Sequence, residues 1–265
     1  MIASSFIAKY LVWSFLWKLL KRIIIWFFIL SIGSVFLFKY VPVPFTILML
    51  QRCAEQKSDG KELKLSKDWV SAEEISPYLQ LAVVCSEDQN YLKHNGFDYG
   101  AIRKALKFNE KMEEKGKNKR RGASTISQQT AKNVFLWPGR SWIRKGLEVY
   151  FTFLIENIWS KERIMEVYLN LIEFGDGVYG AEAAAQNYLH KSANNLTAQD
   201  AALMAVVLPS PLKFSIAKPT AYTLGRRSWC VQQMRYWGLK LDYDKEEAEE
   251  EEETPINKAK LSKKK

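Results

Sequence analysis

Pro77–Asp98 reads PYLQLAVVCSEDQNYLKHNGFD, and this stretch decides how the chain folds. Pro77 suits the first turn of a helix, where its missing N–H costs nothing, and the helix is expected to run to about Tyr91. Leu79, Val83 and Glu87 fall four residues apart, so Glu87 shares a face with two apolar side chains while Asp88 points to water. A carboxylate at the end of an apolar stripe loses hydration, which raises its pKa and makes it a better proton acceptor near neutral pH. A buried Glu satisfied by a neighbouring donor fits the same pattern. His94 reads as a hydrogen-bonding turn residue in preference to a catalytic histidine, because the chain has only two His and no nucleophile pattern adjoins it.

Helical spacing recurs on the C-terminal side. Phe108–Arg121, FNEKMEEKGKNKRR, is charged, contains Gly116 and has little to bury, so it reads as a mobile loop or frayed helix end. A helix from about Trp142 to Trp159 would place Ile143, Leu147, Phe151, Leu154 and Ile158 on one face. Another runs from Lys161 to Ile172 and stops at the cluster of Gly175, Gly177 and Gly180. Ala181–Leu189 restarts a small-residue helix, and Thr197 caps one that ends before Pro209 and Pro211. No alternating run is long enough to argue for a sheet, so the domain is expected to be mainly α.

On the N-terminal side, Ile23–Phe38 reads IIIWFFILSIGSVFLF, about 16 uncharged residues with apolar flanks, close to one bilayer span. It reads as a retained anchor, since a cleaved signal has a shorter apolar region and a small-residue cleavage site, which this segment lacks. Lys9, Lys18, Lys21 and Arg22 precede it and Lys39 alone follows closely, which places the N-terminus in the cytoplasm and the rest outside it. VPVPFTILML, from Val41, reads as a stiff extended connector because of Pro42 and Pro44, and Gln51–Asp68 as irregular. Ser71 and Glu74 form a capping-box signature. The expected division is anchor 1–40, connector 41–75, catalytic domain 76–240 and a disordered charged tail 241–265. The 265 residues carry a net charge of +10, which asks for an anionic partner: nucleic acid, a membrane surface or a phosphate-bearing substrate. Three scattered cysteines, Cys53, Cys85 and Cys230, exclude a zinc motif or disulfide framework and read as small buried hydrophobes.

Two further segments carry polar chemistry. In RRGASTISQQTAKNVF, Arg120–Phe135, the side chains of Ser124, Gln128, Gln129, Lys132 and Asn133 are dense enough to recognise sugar hydroxyls and phosphate oxygens. A solvated helix face is the plainer account. In GRSWIRKGLEVYF, Gly139–Phe151, Arg140, Arg144 and Lys145 gather at a helix start, where free amides already favour an anion such as a diphosphate. Glu148, one turn past Arg144, would as a surface ion pair contribute only about 0.3–0.5 kcal/mol.

Together these segments resemble the peptidoglycan glycosyltransferase family shared by bifunctional penicillin-binding proteins and monofunctional transglycosylases. Glu87, Asp88, Tyr91, His94, Gly96 and Asp98 match its E-D-x-x-F-x-x-H-x-G-x-D motif. Gly122–Asn133 matches G-x-S-T-I-x-Q-Q-x-x-K-N, and Arg144, Lys145 and Glu148 match R-K-x-x-E. The stretches from Glu162 and from Asp200 resemble the fourth and fifth motifs. Tyr91 stands where Phe is usual and Asp200 where Glu is usual; one keeps an aromatic and the other a capping acid. Because the chain continues only shortly past Trp237, and because of PVPFTILML and RRSWCVQQM, the resemblance is to the monofunctional type, found in Gram-negative inner (plasma) membranes.

The resemblance implies a lysozyme-like helical domain that polymerises lipid II into β-1,4 glycan strands with inversion, releasing undecaprenyl diphosphate. It implies Glu87 and Glu148 as catalytic residues, with Lys132, Arg140, Arg144 and Lys145 at the leaving diphosphate. No cofactor is obligatory, though Glu148 could help bind a divalent cation, Mg or Mn. The partners implied are lipid II, the nascent glycan strand, the membrane and proteins of cell-wall synthesis or division; nucleic acid is not expected on that side of the membrane. Phe135, Leu136, Trp137 and Trp142 beside Arg140 are expected to dip into the bilayer interface, unless they pack against a helix instead.

Overall fold

The structure, a computed structural model, describes residues 2–243, with side chains from Trp13 onward. Of the tail expected to be disordered, residues 244–265 lie outside the described residues, as does the Lys9 side chain, but the start of the tail packs on the domain: Leu241 is buried and the Tyr243 hydroxyl donates to Gln80 Oε1 at 2.9 Å. Contacts divide the chain into two compact units, Met1–Val41 and Pro42–Lys265. The first is one helix, α1 (Ile2–Tyr40), of which Trp13–Tyr40 is long and apolar enough to cross a membrane. The helix starts well before the apolar run expected from Ile23, so Lys18, Lys21 and Arg22 are part of it.

In the second unit, Pro42–Phe45 is extended, as the prolines require, but Thr46 then accepts from Met49 N and caps α2 (Ile47–Ser58). The expected irregular segment is thus helical over its first half, because its backbone gained a cap and buried Met49 and Gln56. Ser71 and Glu74 do form a capping box, around a single 3₁₀ turn. There follow α3 (Pro77–Glu87), α4 (Tyr99–Glu114), α5 (Ile126–Phe135), α6 (Trp142–Ile158), α7 (Lys161–Leu171), α8 (Ala181–Leu189), α9 (Ala198–Val207) and α10 (Ala221–Tyr236). Three strands of two or three residues, β1 (Ser66–Lys67), β2 (Glu173–Gly175) and β3 (Val178–Tyr179), form a small sheet in the order β1-β3-β2. β1 runs parallel and β2 antiparallel to β3. Strands this short show no alternation, which is why the sequence did not reveal them. Gly177 makes the β2–β3 turn at φ +68°, and a Cβ there would overlap the Lys64 carbonyl.

Two sets of helices build the domain. α3 is buried on every side, through Leu79, Leu81, Ala82, Val83, Val84 and Cys85, and packs against α9 and α10. A helix apolar all round belongs at the centre of a core, and each such Leu or Val contributes about 1.5–3 kcal/mol by its burial. α5 packs between α6 and α7 in the second set. All three cysteines are free, with Cys85 and Cys230 buried in the first set.

Several boundaries depart from the sequence expectation. α3 stops at Glu87, four residues early, because Asp88 leaves helical geometry (φ −154°, ψ 76°) and turns its carboxylate inward; Tyr91–Lys93 is a separate 3₁₀ turn. α4 extends through most of the charged stretch expected to be loose, up to Glu114. On α6 the buried residues are Glu148, Phe151, Thr152 and Ile155, whereas Ile143 is 75% exposed. The inward face is rotated from the expected apolar stripe because it has to deliver Glu148. The Tyr91 hydroxyl donates to the Lys161 carbonyl at 2.6 Å, a bond Phe could not make.

Gly96 sits at φ +86°, where an added Cβ would lie 2.7 Å from Thr152 Cγ2 and 2.9 Å from Glu156 Cγ. Left-handed strain and overpacking then act together, and Gly96→Ala is expected to lower unfolding stability by about 2–4 kcal/mol. Urea denaturation in detergent measures it; an unchanged midpoint would show that α6 can move away freely.

Candidate active site

Glu87 closes α3 and lines two adjoining hollows of about 700 Å³ and 390 Å³. Ser124, Gln129, Lys132, Asn133, Arg140 and Arg144 line the larger, with Leu48, Leu136, Trp137 and Leu208 at its apolar margin. The smaller adds Asp88, Asp98, Lys104, Arg226 and Trp229, and the two share Ser86, Glu87 and the Arg121–Ser124 strand of loop. The three sequence segments therefore converge on one cleft.

Local chemistry explains how each segment gets there. Thr125 caps α5 by accepting from Gln128 N, while Gln128 Oε1 accepts from Thr125 N in return. Thr125 Oγ1 also donates to the Gly96 carbonyl at 2.7 Å. With the cap in place, Gln129, Lys132 and Asn133 follow on the cleft side of the helix. Ser141 caps α6 by accepting from Arg144 N, which sets Arg140 and Arg144 at the cleft edge.

Asp88 does not point to water. It is 6% exposed, its Oδ2 accepts from Ile126 N at 3.0 Å, and His94 Nε2 lies 3.0 and 3.1 Å from its two oxygens. The amide of Ile126 is one of those that a helix start leaves without an internal partner, and a carboxylate is its best acceptor. His94 is accordingly a structural partner of Asp88. Behind it, Lys161 donates to the His94 carbonyl and pairs with Glu156, which also accepts from Ser127.

The Glu87 carboxyl is raised above its ordinary range, first by burial, with the Gln129 hydrogen bond and the Lys132 charge opposing. Gln129 Nε2 donates to Glu87 Oε2 at 2.9 Å. Burial lowers Lys132, and Glu148 acts against that lowering while Arg144 adds to it. Glu148 is 3% exposed; its Oε1 accepts from Lys145 Nζ at 2.5 Å and its Oε2 lies 4.0 Å from Arg144. It is thus a buried counter-charge for the basic cluster instead of a surface ion pair. Arg144 Nε is buried without a hydrogen-bond partner among the described residues.

Not every expected site residue faces the cleft. Gln128 is buried, closes the capping box through its Oε1 and does not line either hollow. Lys145 and Glu148 stand behind the lining residues, joined to them through Arg144. Both Glu148 oxygens face cations, and among the described residues no group of three His, Cys, Asp or Glu could hold a metal ion. That donor set does not fit a resident Mg or Mn. Sequence reasoning gave no role to Arg226, whose guanidinium lies 4.2 Å from the Trp229 ring in the smaller hollow, nor to Glu173, buried at the edge of the larger one. Nothing in local spacing relates either to Glu87; they arrive through α10 and β2.

Residues 56–235 match the family model described as Transglycosylase. The chain is 52% identical over 215 residues to a biosynthetic peptidoglycan transglycosylase of Bdellovibrio bacteriovorus, covering 81% of this chain and 84% of that protein. It is 49% identical over 228 residues to one from Escherichia coli K12, covering 86% and 93%. A third, from Mannheimia succiniciproducens, is 48% identical over 219 residues, 82% and 88% of the two chains.

A carboxyl raised by folding favours the folded state only while protonated, so its contribution is lost as pH rises through the raised value. Glu87→Gln has no proton to lose and is expected to match the parent in stability at about pH 4 and to exceed it increasingly toward pH 8. Denaturant unfolding across that range tests this, and a gap independent of pH would show that burial does not penalise the Glu87 charge.

Proposed function

The chain belongs to the peptidoglycan transglycosylase family, glycosyltransferases that polymerise the cell-wall glycan, and we propose that it does so from lipid II with Glu87 as general base. The observation that carries the reading is the placement of one half-buried carboxyl, raised by desolvation, in the wall of the cleft that Lys132, Arg140 and Arg144 also line. The donor's sugar is α-linked to a diphosphate and the product linkage is β, so a single in-line displacement with inversion suffices. Glu87 takes the proton of the acceptor 4-hydroxyl as its oxygen attacks, the bond to the diphosphate breaks, and undecaprenyl diphosphate leaves. Negative charge develops on the departing oxygens, where preformed cations stabilise it most. Arg144 Nε, buried and without a hydrogen-bond partner among the described residues, is a donor suited to such an oxygen. Lys145 and Glu148 hold that arginine's surroundings in charge balance. Two hollows meeting at Glu87 suit a donor in the cationic one and an acceptor in the other.

The surroundings suit a lipid-borne substrate. α1 fits membrane anchoring. Cations at its N-terminal end support a cytoplasmic N-terminus and a catalytic unit outside an inner membrane. Trp142 is 92% exposed, Phe153 is exposed on the same helix, and the exposed Trp137 lines the larger hollow with Arg140. Aromatic side chains beside cations suit the headgroup layer, where ring and charge are both solvated well.

Purified protein with labelled lipid II tests the reading: polymer is expected, whereas shortening of preformed glycan would instead assign Glu87 as the protonated acid of a strand-cleaving enzyme. Glu87→Gln is expected to lower polymerisation about 10²- to 10⁴-fold with precursor binding retained, the usual scale of a lost general base. Retained turnover would remove Glu87 from this role. Lys132→Ala is expected to weaken donor use about 10²- to 10³-fold, and an unchanged rate would argue against the diphosphate seat.

A further inference from the structure

Glu87 and Asp88 are adjacent in sequence, yet each carboxylate grips a different point on one helix. Asp88 Oδ2 accepts from Ile126 N, at the first residue of α5. Glu87 Oε2 accepts from Gln129 Nε2, three residues along. Lys132 follows three residues later, and residues at that spacing share a helix face. The hydrogen-bond partner of Glu87 and the cation are thus measured out along a single helix, α5, whose start is pinned by the residue next to Glu87. The pin is itself held, since His94 lies against both Asp88 oxygens and Thr125 is bonded to the Gly96 carbonyl.

We propose that Gln129 is a positioning residue that acts through Glu87 and not a substrate ligand: its amide fixes Oε2 and leaves Oε1 to take the acceptor's proton. This deepens the function proposed above and rests on it. Glu87 Oε1 accepts no hydrogen bond among the described residues, and rotation about the last side-chain bond would exchange the two oxygens unless one were held. Gln129 carries no charge, so it orients the carboxylate and steadies its ionised form without competing with Lys132 for the anionic leaving group. Sequence density alone suggested sugar recognition, whereas the structure engages one of the two Gln129 amide hydrogens with Glu87.

The groups facing Glu87 from each packed element are few. Asp88 adjoins it, Lys132 stands on α5, Arg226 on α10, and the buried Tyr168 hydroxyl on α7. α9 packs along α3 but its one carboxylate, Asp200, is engaged by Lys191 and Thr197. Removing the Gln129 amide leaves those charges in place and withdraws one bond from the ionised form alone, so the proton is held more tightly.

The experiment is steady-state polymerisation of lipid II by the full chain across pH, for the parent, Gln129→Ala and Gln129→Glu. For Gln129→Ala, kcat near neutral pH is expected to fall about 10- to 100-fold, the worth of a hydrogen bond to a charged group, with KM within about twofold. The acid limb of its kcat profile moves to higher pH. Gln129→Glu, nearly isosteric, tests the same point if the alanine variant does not fold: a second carboxylate faces Glu87, and the limb moves further in the same direction. A raised KM with kcat and acid limb unchanged in either folded variant would overturn the proposal and return Gln129 to the substrate. A parent that makes no polymer would sink the underlying functional reading instead, which keeps the two failures apart.

Discussion

The buried Asp88 carboxylate joins the two halves of this domain. One set of helices, α3 with α9 and α10, ends at Glu87; the other, α5 with α6 and α7, carries the cations. Asp88 accepts the first amide of α5 and is backed by His94, so Glu87 and the cations keep a fixed separation. Without that acceptor a buried N–H would be left unpaired, at a cost of about 1–3 kcal/mol, and α5 would lose its registration against α3. The bond is local in energy but sets the geometry of the whole cleft.

Around that fixed frame the charges are balanced in opposition. Burial pushes the Glu87 proton affinity up and Lys132 down, while the two attract each other and Glu148 steadies the cation side. A base must be ionised to accept a proton and basic enough to hold it, and partial burial beside a donor and a cation meets both demands. The same arrangement is a liability for folding, because a half-buried carboxylate is less stable there than in water. Glu148 shows the complementary solution: fully buried, it keeps Lys145 and Arg144 from repelling each other where an anion must enter.

Much of this was legible in residue order, and the failures have specific causes. The cap at Thr197 and the proline at Pro77 mark true helix starts, since each acts within three residues, and Thr125 and Ser141 cap α5 and α6 in the same local way. The end of α3 was read too late because Asp88 looks like an ordinary exposed helical residue until its distant acceptor role is known. Gln128 and Gln129 look equivalent in sequence; one closes a cap and the other reaches Glu87, a difference set by 100° of helix rotation. The stripe on α6 was misplaced for a related reason: apolar periodicity points to the core, but Ile143 and Phe153 face outward with Trp142. An aromatic face that suits a bilayer surface and one that suits a core have the same spacing.

The order of residues by itself determined a mainly helical domain, an apolar N-terminal helix, and three polar segments whose chemistry is that of an acid–base group and an anion seat. Those properties follow from contacts within a turn or two of helix, which the chain spells out directly. Only the tertiary structure decided that Glu87 bonds Gln129, that Asp88 takes the amide of Ile126, and that Arg226 and Glu173 border the same cleft. Partners 38 and 42 residues apart meet because two helix sets bury their apolar faces first, and the polar groups carried between them must then find donors and acceptors in each other.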